Sequence, residues 1–440
     1  MRFYGREEQI EELRAGRSRA FEDHSRFTVV TGRRRIGKTT LVMKALGEQN
    51  TLYLFVARKN EALLCADFSE QINATLDTFV PPETNTFKSL FTFLFKLAEV
   101  QEYSLVIDEF QEFFNINSSF YSDLQNLWDR HRNKTKVNLV VCGSVYSLIH
   151  KIFRDKKEPL FGRADAYIQL TPFNIATLKA ILCDMNPRYV PDDLLALYTI
   201  TGAVPKYVEL FFDSGSSNLK QMVNFMVREG SPFIDEGKNL LIEEFGKNYA
   251  TYFSILSTLS SGVNTQSRIE DVLGGISIGG HLKRLVDDYG ILERKIPLLA
   301  KKGTQAVRYQ IRDNFIQFWF KYFDGNQSLV EIKNYPALRS LMISDFPSYS
   351  GRLLERYFVQ KFAESYEFSN IGSWWETGKE HHDIDIVALY LESKSALAVE
   401  VKRQARKFQP ETLHSRVQHL QEKVLQGYAV KEQCLSLEDM

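Results

Sequence analysis

Three groups of residues in this 440-residue chain have the types and spacing for chemistry. The first is the stretch GRRRIGKT, where Gly32, four intervening residues, Gly37, Lys38 and Thr39 form the pattern that wraps a phosphate. The glycines would let backbone N–H groups curl round phosphate oxygens, and the start of the following helix adds partial positive charge. Gly32, Arg35, Ile36, Gly37, Lys38, Thr39 and Thr40 are therefore the predicted nucleotide-binding set. Lys38 would reach the β- and γ-phosphates of ATP, and the Thr39 hydroxyl would ligate Mg2+. The competing reading is a basic strand-to-helix turn. A second group weakens that reading: YSLVIDEF, 103–110, is an apolar run ending in Asp108 and Glu109. Asp108 is placed to hold Mg2+ through water, and Glu109 to polarise an attacking water. The third group is Asp385, Glu400 and Lys402, preceded by Glu355 on an amphipathic stretch. Asp385 and Glu400 on adjacent strands would converge on a second divalent metal, Mg2+ or Mn2+, with Lys402 orienting the attacking water.

The elements that must hold the first two groups are readable. FTVVT, 27–31, is a short β-branched run, and TTLVMKAL, 39–46, is a helix former. Strand, glycine loop and helix thus occur in the required order. Four further strands are expected at 51–57, 104–108, 137–144 and 166–170, separated by helical stretches, which gives a parallel sheet with crossovers on both faces. Ser144 ends the fourth strand and is a candidate sensor of the γ-phosphate. Arg163, just before the fifth, suits a finger that stabilises transition-state charge; a surface salt bridge is the alternative.

Downstream, 173–240 reads as amphipathic helices forming a lid. Three helices (248–260, 265–274, 278–288) and two strands (291–298, 307–312) then give the layout of a winged helix. Its third helix would present His281, Lys283 and Arg284 to DNA and its wing tip Lys301 and Lys302, although Asp287 and Asp288 oppose them. FIQFWFKYF, 315–323, reads as a core helix, and DGNQSL, 324–329, as a linker loop. In the last segment SNIGSWWE, HHDIDIVALY and ALAVEVKRQARKF read as strands, the third placing Glu400 and Lys402 on one face. His381 and His382 precede their strand in a charged loop and read as solvated. VKRQARK, 401–407, would be either a phosphate-tracking patch beside the site or a solvated strand end.

FYGREEQIEEL, GRRRIGKTTL, VIDEFQ, CGS, PLFGRAD and GAVPKYVEL together resemble the prokaryotic AAA+-type ATPases of the archaeal ATPase family, relatives of the signalling NTPases, over roughly residues 3 to 210. The resemblance implies adenine near Tyr4, Gly5 and Arg6, and a lid proline, Pro205, near the nucleotide. Ala203 stands where the family signature has its second glycine. The Asp…Glu-x-Lys order behind Glu355 resembles the PD-(D/E)xK nuclease fold, and the tail resembles the nuclease-like domain of unknown function that often ends this family. The expected fold class is α/β, a P-loop NTPase with helical lid, winged helix and a C-terminal restriction-endonuclease-like α/β domain. The expected boundaries are 1–172 for the ATPase core, 173–240 for the lid, 241–325 for the winged helix and 335–440 for the nuclease-like domain.

Lys plus Arg equals Asp plus Glu at 55 each, so no global field draws the chain to nucleic acid or anionic lipid, and such affinity must come from local patches. Cys65, Cys142, Cys183 and Cys434 form no CxxC pair, which favours reduced thiols. The N-terminal stretch is charged, no eighteen-residue apolar run occurs, and the expectation is a cytoplasmic protein without membrane partners. Two functions stay open. One is an ATP-regulated machine on DNA; the other is a signalling NTPase whose C-terminal domains bind protein and cut nothing. A homo-oligomer is required only if Arg163 acts on a neighbouring subunit.

Overall fold

Valine, isoleucine and leucine crowd the strands of the first compact unit, Tyr4–Thr171, because a parallel sheet is covered on both faces and leaves few positions for polar side chains. The computed structural model describes every residue except Val145, 246–248, Lys302 and 377–381, with Tyr146 and Ser147 described for backbone only. Lys302 and His381 therefore lie outside the described residues. The strands are β1 (Arg26–Thr31), β2 (Thr51–Phe55), β3 (Tyr103–Asp108), β4 (Val137–Gly143) and β5 (Ala166–Gln169). They pair in the order β2-β3-β4-β1-β5, all parallel, as the expected sheet requires. Every residue of β3 and of β4 is buried. One face packs on an aromatic cluster in which Phe87, Phe91, Phe110, Phe113 and Phe120 meet edge-on or tilted.

The register decides where chemistry is possible. Thr31 pairs with Gly143 and Phe55 with Asp108, so the strands finish level at their carboxyl ends. The glycine loop, Asp108-Glu109 and Ser144 all leave the sheet at that edge, which is where open α/β sheets bind ligands.

The second unit comprises 1–3 and 172–440. Five helices come first: Ile175–Met185, Pro191–Thr201, Pro205–Asp213, Leu219–Met226 and Phe233–Phe245. Asn174 and Asn218 cap the first and fourth through their side chains, and Pro191 and Pro205 open the second and third, where a missing N–H costs nothing. Helices Tyr249–Ser260, Gln266–Val272 and Gly279–Asp287 precede an antiparallel hairpin, β6 (Leu292–Lys295) and β7 (Arg308–Ile311). Helix Asn314–Tyr322 is almost wholly buried, as its aromatic content requires.

The expected linker loop at 324–329 is not a loop. Asp324–Asn326 forms a 3-10 turn and Gln327–Glu331 a helix. Asn326 donates its side-chain amide to the Tyr322 carbonyl at 3.0 Å, and the Tyr322 hydroxyl reaches Asp345 at 3.0 Å, so polar residues that suggest a loop instead tie the turn to its neighbours.

Helices Tyr335–Tyr349 and Gly351–Ser365 lead into a sheet of β8 (Phe368–Trp374), β9 (Ile384–Tyr390), β10 (Ser395–Val401) and β11 (Ala429–Leu435), ordered β11-β10-β9-β8. β8, β9 and β10 are antiparallel neighbours; β11 joins β10 in parallel after the crossover helix Pro410–Lys423. The third expected strand of this segment stops at Val401, and Ala405–Lys407 is a 3-10 turn, so most of the basic string 401–407 lies beyond the sheet. No helix among the described residues is long and apolar enough to cross a membrane.

Candidate nucleotide and acidic sites

Between β1 and helix Lys38–Leu46 the backbone turns through left-handed conformations at Arg35 (φ 68°) and Gly37 (φ 87°), with Gly32 at φ 153°. A Cβ on Gly32 would stand 2.8 Å from the Leu170 carbonyl oxygen, so only glycine fits there. Ile36 anchors the loop in the core at 1% exposure. Helix Lys38–Leu46 starts without a side-chain cap, leaving its first N–H groups for a ligand.

Lys38 is buried, and its ammonium donates to the carbonyls of Gly32 (3.0 Å) and Arg33 (3.3 Å). Burial lowers its pKa, while Glu109 and Asp108 work in the opposite direction. Thr39 donates its hydroxyl to Asp108 Oδ2 at 2.5 Å, and the Asp108 Oδ1 atom accepts the Glu109 N–H at 2.9 Å. Glu109 sits at φ 53° and receives the Ser144 hydroxyl at 2.7 Å and the Gln111 side-chain amide on the same oxygen. Lys38, Thr39, Asp108, Glu109 and Ser144 are thus one connected cluster. A hydroxyl and a carboxylate side by side are the hard oxygen donors that Mg2+ takes, so this donor set fits that ion.

Two members have no motif to announce them. Tyr53, from β2, donates its hydroxyl to Asp108 Oδ2 at 2.9 Å, and burial together with that carboxylate raises its pKa. Gln111 follows Glu109 in the VIDEFQ string, but only the fold shows that its amide holds the Glu109 carboxylate.

Thr40 is exposed on the first turn of its helix. Tyr4 is buried, and Arg6 lies at φ 74° with its guanidinium donating to the Thr171 carbonyl. Burial lowers the Arg6 pKa. Arg163 pairs with Asp129 at 3.2 Å and donates to the Phe161 carbonyl, the salt-bridged arrangement that the sequence leaves open. Pro205 opens its helix in the second unit, next to Ala203, which takes the left-handed conformation (φ 56°) expected of a glycine.

In the C-terminal sheet, β9 and β10 pair Ile386 with Val399, and the next positions in that register are Asp385 and Glu400. Asp385 accepts the Val401 N–H at 2.7 Å. Glu355, from helix Gly351–Ser365, and Asp385 both line a cavity of about 510 Å3 that Lys295, Arg308, Arg352 and Arg356 also face. Burial, then repulsion from Asp385, pushes the Glu355 carboxyl up to about 8; burial likewise raises Asp385 to about 6. Glu400 is engaged differently: Lys402 holds one oxygen at 2.6 Å and Arg416 the other at 3.0 Å. The cation on Lys402 is stabilised by that carboxylate although burial opposes it.

Elsewhere, the cations of helix Gly279–Asp287 are satisfied within the fold. Lys283 pairs with Asp287 at 2.6 Å, Arg284 is bonded to Tyr252, and His281 packs on the Tyr252 ring at 5.3 Å. Lys301 is exposed. His382 is half-buried rather than solvated, because its ring stacks on His419 of helix Pro410–Lys423 with centroids 4.4 Å apart.

Residues 3–211 match the family described as an ATPase domain predominantly from Archaea, and residues 319–413 a family of archaeal and bacterial proteins of unknown function. An uncharacterized protein of Methanocaldococcus jannaschii is 27% identical over 407 residues, covering 89% of this chain and 86% of its own. Among solved structures, the Walker-type ATPase PABY2304 of Pyrococcus abyssi is similar with a TM-score of 0.54 at 17% identity, over 72% of this chain and 96% of that one. The ORC2 protein of Aeropyrum pernix, determined in ADPNP and ADP complexes, has a TM-score of 0.50 at 12% identity, over 74% of this chain and 94% of that one. These structural likenesses speak to the fold. Over residues 3–211 the chain is accordingly similar to the predominantly archaeal ATPase-domain family, and over 319–413 to the archaeal and bacterial family of unknown function.

Proposed function

We propose that this ATPase hydrolyses Mg-ATP at the carboxyl edge of its five-stranded sheet and uses the nucleotide state to govern a C-terminal module that acts on DNA. The observation that carries the reading is the hydrogen-bonded chain from Thr39 through Asp108 and Glu109 to Ser144, with Lys38 buried beside it. Lys38 binds the β- and γ-phosphates by exchanging its two carbonyl partners for phosphate oxygens. Thr39 and Asp108 would hold Mg2+, which when bound offsets charge developing on the phosphates. Glu109 orients the attacking water, Ser144 and Gln111 fix its carboxylate, and Tyr53 fixes Asp108. Arg163 would meet transition-state charge after leaving Asp129.

The second half of the proposal gives 241–325 the role of a winged helix and 335–440 that of a nuclease-like module. Its support is the Glu355–Asp385 pair in a cavity with basic walls, where a divalent cation would relieve the repulsion between the carboxyls. Lys402 and Arg416 each hold one oxygen of Glu400 at the edge of that pair. The internal pairing of Lys283 and Arg284 favours a second reading, in which this module grips protein instead of DNA.

Phosphate release from ATP tests the first half. Turnover should require Mg2+ and fall to background in Thr39→Ala; full turnover by that variant, or in excess chelator, would contradict the site.

A further inference from the structure

A second set of metal-type ligands lies in the C-terminal sheet region, apart from the residues assigned above. Glu376 follows β8, His382 precedes β9, and His419 comes from the crossover helix Pro410–Lys423. One ligand atom from each lies within 4.8 Å of the others. His419 Nε2 and Glu376 Oε2 are 2.8 Å apart, and the His382 ring stacks on the His419 ring. All three are half-buried, so the ligand atoms combine a fixed position with access from solvent. Trp374 packs its ring against His419 at 5.8 Å between centroids and walls the cluster on its apolar side.

Three separate elements converge here for a structural reason. Helix Pro410–Lys423 buries Leu413, Val417 and Leu420 against the sheet. That orientation sends Arg416 to Glu400 and to the Asp383 carbonyl, each at 3.0 Å. His419, three residues on, falls on the same side of the helix, over the end of the β8–β9 pair where Trp374 faces Ile384.

We propose that Glu376, His382 and His419 form a site for a transition-metal dication of the Zn2+ class. Two imidazoles and a carboxylate suit Zn2+ better than Mg2+ or Ca2+, which prefer all-oxygen ligands. Tetrahedral bonds of about 2.0–2.1 Å place ligand atoms roughly 3.3 Å apart. The His419–Glu376 pair therefore opens slightly, the widest separation closes by at most about 1.5 Å, and any proton shared by the pair leaves to solvent. Water takes the fourth position. The metal fastens the Trp374/Ile384 end of the β8–β9 pair to the crossover helix, directly before Asp383 and Asp385.

The test uses the full, untagged chain, stripped of metal and titrated with Co2+ as the spectroscopic stand-in and with Zn2+ by calorimetry. About one equivalent should bind with the visible absorption of tetrahedral Co2+, whatever oxygen-ligated metal binds beside it. His419→Gln should weaken binding by more than the roughly 10–100-fold that loss of an outer-sphere partner costs. Asp385→Asn should leave the tetrahedral Co2+ spectrum and the equivalent that produces it unchanged. Zn2+ should raise the melting temperature of the native chain and of Asp385→Asn, but not that of His419→Gln. If the native chain takes up no metal, or gives only the pale octahedral Co2+ spectrum of oxygen ligands, the site does not exist, whatever the variants do. Binding that survives in His419→Gln but is lost in Asp385→Asn would assign the ion to the acidic cavity and overturn the proposal.

Discussion

At the scale of single residues, the proposed function gives the phosphate-loop lysine and the acidic pair different work, and substitution should separate them. Lys38→Ala removes an ammonium now bonded to two backbone carbonyls of its own loop. Equilibrium binding of a fluorescent ATP analogue should weaken at least about 100-fold, since charge-assisted hydrogen bonds contribute roughly 1.5–3 kcal/mol each. Tight binding by that variant would remove Lys38 from the site. Glu109→Gln keeps a side chain able to accept from Ser144, so it should bind ATP normally while single-turnover hydrolysis slows by about 100-fold or more. Undiminished hydrolysis would take Glu109 out of the mechanism. These residues were legible because their spacing along the chain is itself the constraint. Tyr53 and Gln111 were not, because their role depends on which strand lies beside β3 and how the turn after it folds. The Arg163 side chain was legible as a cation near β5, but its partner Asp129 lies 34 residues away in sequence and leaves no local mark.

At the scale of elements, close packing explains what composition could not. Gly237 lies in helix Phe233–Phe245, where glycine is normally a liability. A Cβ there would come within 2.2 Å of the Trp319 indole, whose N–H donates to the Ile234 carbonyl at 2.8 Å. Gly237→Ala should therefore lower stability by about 1–3 kcal/mol despite its better helix propensity, read as a lower urea midpoint with an unchanged slope. A higher midpoint would mean that the indole moves aside freely. The Glu355 carboxyl gives a pH signature. It keeps its proton up to about 8 in the fold but loses it in the ordinary carboxylate range when unfolded. Above that range the folded chain binds the extra proton, so its stability contribution declines as pH rises from the carboxylate range through about 8. Melting curves between about pH 5 and pH 9 should fall less steeply for Glu355→Gln than for the native chain; parallel curves would contradict the buried, protonated state. The buried strands of the first unit were readable as apolar runs. β11 was not, because AVKEQCL is a half-exposed edge strand whose lysine and glutamate hide its pairing with β10. The turn after helix Asn314–Tyr322 was misread for the converse reason, since Asp, Gly and Asn suggest a loop wherever side-chain bonding in the fold does not intervene.

At the scale of the whole molecule, sequence and fold agree on the ATPase half, where a phosphate loop needs a strand before it and a helix after it. The C-terminal half is less legible, because Asp-x-Asp and Glu-x-Lys occur on many strands and their meaning depends on what faces them. In the proposed function Glu355, Asp385 and a basic cavity wall are given that part, while the even charge balance of 55 against 55 leaves any nucleic-acid affinity to local surfaces. The measurement that bears most directly on an ATP-governed module acting on DNA is a gel assay with labelled duplex, single-stranded and forked DNA. It would be run in Mg2+ or Mn2+, with and without ATP, for the native chain beside Asp385→Asn and Lys38→Ala. The expected result is DNA cut, or shifted in a salt-sensitive complex, in a manner that changes with ATP, loses its ATP response in Lys38→Ala, and loses cleavage in Asp385→Asn. DNA that stays intact and unshifted in every lane would contradict the account and leave the C-terminal module a protein-binding one.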